Sequence, residues 1–144
     1  MNKKAKTTNY PKPPDKIPKV NEPRNYNKER PVWLLSKIDM DGDFGWKSIN
    51  ERDKILKIID RLKSFESMTW ADIVGSDNHS IPIYNLSHGA KKRLSQINIH
   101  EIEELFSFHL TGKERIWGIR EEEKCKILWW DPDHLVCPSI KKHT

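Results

Sequence analysis

Two short apolar-aromatic runs close this chain, Arg115-Ile-Trp-Gly-Ile-Arg120 and Ile127-Leu-Trp-Trp-Asp-Pro-Asp-His134, with the charged stretch Glu121-Glu-Glu-Lys124 between them. Apolar runs of this length around a polar turn read as a β-hairpin. The second run must stop at Asp131-Pro132, because proline has no N–H to give to the ladder. From Leu105 onward the apolar period is two, with Phe106, Phe108 and Leu110 on one face, and Thr111 to Lys113 supplies the turn into the next strand. The last third therefore predicts a three-stranded antiparallel meander.

Upstream, the period lengthens. Ile55, Ile58, Ile59, Leu62 and Phe65 recur at helical spacing behind Ser48 and Glu51, a pair spaced as a capping box. Thr69 with Asp72 starts a short helical turn, and Leu86, Ala90, Leu94 and Ile97 give a third helix one buried face. Val32 to Ile38 reads as one early strand. Ile81-Pro-Ile-Tyr84 is broken by proline and reads as an edge or a connector. The expected fold is α+β, a four-stranded antiparallel sheet of one early strand plus the meander, with helices packed on one face.

Charge separates the rest of the chain from this body. Residues 1–30 carry nine Lys/Arg and three Asp/Glu, which leaves 17 basic and 18 acidic residues for 31–144, a net of −1. Residues 1–31 also hold six of the nine prolines and few large apolar groups. Such a stretch cannot bury enough surface to offset its ordering entropy, so residues 1–31 are expected as a disordered basic arm and residues 32–144 as one domain. The arm reads as a solvated leader, an electrostatic tether to nucleic acid, or a segment that folds on a partner. No run long enough to span a bilayer and no apolar signal core occurs, and two cysteines do not make a disulfide framework, so a cytoplasmic protein is expected.

Motif evidence excludes more than it selects. The chain has no G-x-x-x-x-G-K-[ST], G-x-S-x-G, H-E-x-x-H or G-x-G-x-x-G, so nucleotide triphosphate, serine hydrolase, zincin and dinucleotide chemistry lack support. Cys125, Asp131, Asp133, His134 and Cys137 do not form the two clear ligand pairs of a zinc site, and neither metal nor cofactor is expected.

What the C-terminal strands do gather is cationic and imidazole chemistry. Arg115 and Arg120 lie on the central strand, His134 follows the last one, and Lys141, Lys142 and His143 end the chain. Cleavage of a phosphodiester needs such a set: a cation on the phosphate and a histidine to move protons. The bland alternatives are cross-strand pairing of the arginines with Glu114 or Glu121 to Glu123 and a purely structural Asp-Pro-Asp-His turn. Lys91, Lys92 and Arg93 form a basic face on the third helix that suits a solvated surface or a phosphate backbone, and Trp130 could stack a base.

Arg115-Ile-x-Gly, Leu128-Trp-x-Asp and His143 give the chain a resemblance to the RelE/ParE superfamily of bacterial toxins, at the level of layout over residues 32–144. The late pattern R-I-x-G followed by W-x-D-P-x-H-x-V-x-P is also similar to a set of short bacterial proteins. The toxin resemblance implies helices before an antiparallel sheet, an RNA-binding groove at the late strands, and an endoribonuclease that acts on RNA or the ribosome and is held by an antitoxin. It carries Arg115, Arg120, His134, Lys141 and His143 over as phosphate-holding and proton-transfer candidates. A sister branch binds proteins, which keeps a non-catalytic binding module open as the alternative.

Overall fold

A computed structural model describes residues 23–138. Lys141, Lys142 and His143, with residues 1–22 of the expected arm, lie outside the described residues. Five strands form one mixed sheet: β1 (Val32–Leu34), β2 (His79–Pro82), β3 (Glu104–His109), β4 (Arg115–Glu121) and β5 (Lys124–Asp131), in the order β1-β5-β4-β3-β2. The meander β3-β4-β5 is antiparallel, as expected. Two details differ. β1 runs parallel to β5, and the proline-containing segment is a true fifth strand, β2, antiparallel to β3 at the sheet edge where its proline costs no central bond.

Helices cover both faces of the sheet, not one. On one side lie α1 (Arg52–Glu66) and the short α2 (Trp70–Ile73), whose Ile58, Phe65, Trp70 and Ile73 pack on Phe106, Phe108, Ile116 and Ile127. On the other lies α3 (His88–Gln96), whose Ala90 and Leu94 pack with Leu86, Leu105, Trp117, Leu128 and Trp129. The one-face expectation followed from the order of elements, a strand, then helices, then three strands. It missed β4 and β5, whose central residues are buried on both sides and read as continuous apolar runs.

Local signals account for most of the helix ends. Thr69 Oγ1 accepts from Asp72 N at 3.2 Å and Ser87 Oγ from Ala90 N at 3.2 Å. The expected Ser48 and Glu51 capping box does not form. Ser48 sits in a 3-10 turn with its hydroxyl on Gly45 O, and Glu51 is itself the cap residue without a side-chain bond. Ile55 and Ile59 of the α1 stripe remain exposed.

A β-bulge in β5 decides how the chain closes around the sheet. Gly118 pairs with Ile127 and Trp117 with Trp129, so Leu128 is the extra residue. The insertion turns Leu128 and Trp129 both toward α3. The freed Leu128 carbonyl accepts from Asp39 N at 2.9 Å and Trp46 Nε1 at 3.1 Å, and Trp130 N donates to Phe44 O at 3.0 Å. Beyond the short β1, the loop 39–46 thus satisfies the open edge of β5. Its anchor is Asp39, whose carboxylate accepts from Arg93 Nε at 2.9 Å, Arg93 Nη2 at 2.8 Å and Trp129 Nε1 at 2.8 Å. Gly118 is required where β4 and β5 meet, since a Cβ there would stand 2.5 Å from Cys125 Sγ and 2.9 Å from Lys126 O.

The last part of the expected arm rests on the body. Residues 26–28 make a 3-10 turn, Arg24 pairs with Glu29 and Glu123, and Trp70 N donates to Glu29 O at 2.9 Å. Among the described residues, no helix is long and apolar enough to cross a membrane.

Candidate active site

Strand register builds a cavity on the α3 face. His79, Ser107, Trp117 and Trp129 lie opposite one another across β2, β3, β4 and β5, and His109, Arg115 and Asp131 form the next row. With period two, Arg115 and Trp117 point to the same side. Ser107 is the small member of its row, buried between an imidazole and an indole, and leaves space above it. The resulting cavity of about 420 Å³ is lined by Ser76, Asp77, His79, Ile81, Asn85, Ser107, Arg115, Trp117, His134, Cys137 and Pro138.

His134 reaches it from the turn after β5. Asp131, fully buried, fixes that turn: Oδ1 accepts from Leu135 N at 2.8 Å, and Oδ2 accepts from Val136 N at 2.9 Å and Trp117 Nε1 at 3.2 Å. This is the backbone-capping aspartate that the Asp-Pro pair announces. The turn holds His134 at φ +60°, a left-handed conformation that a histidine adopts only at some cost. Burial lowers the His134 pKa, the Arg115 charge lowers it further, and Asp131 opposes both. The neutral ring, with a free lone pair, therefore persists to lower pH than for an ordinary histidine.

Arg115 is not in an ion pair among the described residues. Its Nη1 donates to Gly112 O at 2.8 Å and Glu114 O at 3.0 Å, while the Glu114 carboxylate is taken by Lys54. Desolvation pulls its pKa down, opposed by the charges of Asp131 and Asp77. A half-buried guanidinium held by carbonyls keeps donors for an incoming anion.

The other expected site residues lie elsewhere. Arg120 is on the opposite face of the sheet, stacked 4.2 Å over the Trp70 ring, with Nη2 on Asn27 Oδ1 at 2.6 Å and Nε on Glu122 O at 2.9 Å. Four residues separate Arg115 from Arg120, but an odd offset along a period-two strand would suffice to part them. Trp130 is buried in the α1-side core beside Trp46 and stacks no base. Arg93 is bound to Asp39 and does not share the outward face on which Lys91 and Lys92 are exposed. His143, Lys141 and Lys142 fall outside the described residues.

His79, Ser107 and Asp77 are among the cavity residues that escaped the sequence reading. His79-x-Ile81 carries the alternation of a strand, but Pro82 masked it. The cysteines are not activated nucleophiles, since burial raises both thiols and Cys137 Sγ donates to Asn85 O at 3.3 Å. Among the described residues, no group of three or more His, Cys, Asp or Glu is placed to hold a metal. Protein-family models, curated proteins and solved structures yield no match to this chain.

Proposed function

We propose that this protein is a metal-independent RNA endonuclease of RelE-like toxin type, acting in the cytoplasm on free or ribosome-bound RNA and restrained by an antitoxin protein. The observation that carries the reading is the meeting in one cavity of two histidines and an arginine that joins no ion pair among the described residues. RNA brings its own nucleophile. His134, favoured as the neutral base, takes the proton from a 2′-hydroxyl, and the 2′-oxygen attacks phosphorus. The P–O5′ bond breaks, and His79 gives a proton to the departing O5′, leaving a 2′,3′-cyclic phosphate and a 5′-hydroxyl. Arg115 holds the non-bridging oxygens as their charge grows.

The test is expression of the full chain with RNA integrity as the readout. Growth arrest with RNA ending in cyclic phosphate, lost in Arg115→Ala, supports the proposal; intact RNA at high expression removes it. A second reading draws on the +6 charge of residues 1–30 against the −1 of the remainder. In that reading the protein is a non-catalytic module tethered by its basic arm to nucleic acid or an acidic partner. Deletion of residues 1–22 then flattens the salt dependence of binding, and binding indifferent to the deletion counts against it.

A further inference from the structure

A cavity built only to grip phosphate would be lined by cations. This one has a carboxylate, Asp77, in the same lining as its guanidinium. Asp77 lines the same wall system as Arg115 and acts on it electrostatically, yet among the described residues it joins no ion pair. Asp77 is exposed at the rim of the cavity, and the turn beneath it is held in place. Gly75 N donates to Asn78 O at 2.9 Å, and the buried Asn78 side chain is fixed by Ile73 O at 3.2 Å and His109 N at 2.8 Å. The turn that carries Asp77 is therefore pinned to α2 and to β3.

A ligand that satisfies this arrangement has an anionic group for Arg115 and an N–H edge for Asp77. The volume of about 420 Å³ suits an entire nucleotide and is too small for a duplex. Trp117, Ile81 and Pro138 supply the apolar part of the lining that a base requires. Among the bases, guanine alone presents two adjacent donors, N1–H and the N2 amino group, that match both oxygens of one carboxylate. We infer that the cavity takes a single unpaired guanine nucleotide, with its base edge on Asp77 and its phosphate on Arg115, so that the protein cuts single-stranded RNA next to guanosine. This rests on the endonuclease reading and specifies its substrate.

The experiment is calorimetric binding of guanosine, adenosine, cytidine and uridine 3′-monophosphates to the full chain, with cleavage of a single-stranded RNA containing each base as a second readout. The guanosine nucleotide is expected to bind about tenfold or more tighter than the adenosine one, as a lost bidentate base contact implies. Asp77→Asn should collapse that preference while phosphate-dependent binding survives, and Arg115→Ala should weaken all four. Equal binding of the four, or an unchanged preference in Asp77→Asn, overturns the inference. RNA cleaved without base preference sinks the guanine assignment and leaves the endonuclease standing; no nucleotide bound and no RNA cleaved sinks both.

Discussion

The two faces of the sheet are wired differently, and their tryptophans show it. On the α1 side, Trp33, Trp46 and Trp70 end their indole N–H groups on the backbone carbonyls of Leu62, Leu128 and Glu123. On the α3 side, Trp117 and Trp129 end on the carboxylates of Asp131 and Asp39. The first face is an aromatic cluster around Phe108, in contact with Trp33, Phe65, Trp70 and Phe106. The second includes buried acids, a bulge and the cavity. One face is held mainly by aromatic and aliphatic packing, and the other fixes buried carboxylates with hydrogen-bond donors.

The largest effect that separates them is Phe108→Ala. Its ring is fully buried at the centre of the aromatic cluster, so truncation is expected to cost about 3–5 kcal/mol by urea unfolding. Nucleotide binding in the cavity should persist wherever the variant stays folded, because the cavity lies across the sheet. A loss of binding at full folding would show that the two faces are not separable.

Asp39→Ala comes next. It strands Arg93, leaves the Trp129 N–H without an acceptor and frees the loop that closes the β5 edge, for a cost of about 3 kcal/mol. Burial raises the Asp39 carboxyl, but hydrogen bonds from Arg93 and Trp129 outweigh it and hold the pKa below the usual value. Because the folded value is the lower one, its stabilisation is complete above an unfolded pKa of about 4 and disappears as pH falls through the folded value. Wild type should lose more stability than Asp39→Ala between neutral pH and acid. Parallel pH profiles for the two would refute this role.

Residues with a local signature were legible in the sequence. The alternation of Phe106 and Phe108, the capping of α2 by Thr69 and the Asp131 turn all depend on neighbours within a few positions. What was not legible depends on pairing across the fold. The parallel placement of β1 against β5, the second helical layer and the partner of Arg93 are set by contacts between distant segments. The site divided in the same way. Arg115 and His134 sit near elements whose ends the sequence marked, whereas His79 joined them only through the register of β2 on β3, and Arg120 left them through the parity of β4.

Arg115→Ala should alter stability by no more than about 1 kcal/mol, since among the described residues the side chain bonds only loop carbonyls and its burial is itself unfavourable. Under the endonuclease reading, loss of one donor to a growing phosphate charge predicts a fall in RNA cleavage of about a hundredfold or more. Cleavage within threefold of wild type would remove Arg115 from the site.

The smallest change in stability is expected at His134 itself. Its left-handed backbone costs about 1 kcal/mol, which His134→Gly releases, while the added freedom of glycine in the unfolded chain takes back about as much. Stability near neutral pH should therefore stay within about 0.5 kcal/mol of wild type, while under the proposed endonuclease reading cleavage is lost. Acid separates the two chains. The folded His134 pKa lies below its unfolded value, so below about pH 6.5 the unfolded state of wild type binds the extra proton and the histidine disfavours folding, whereas His134→Gly carries no such penalty. The variant should thus gain on wild type as pH falls from 7 to 5. Under the same reading, the depressed pKa places the acid limb of the wild-type cleavage profile below that of an ordinary histidine, and a limb above pH 7 would show that His134 is not the base.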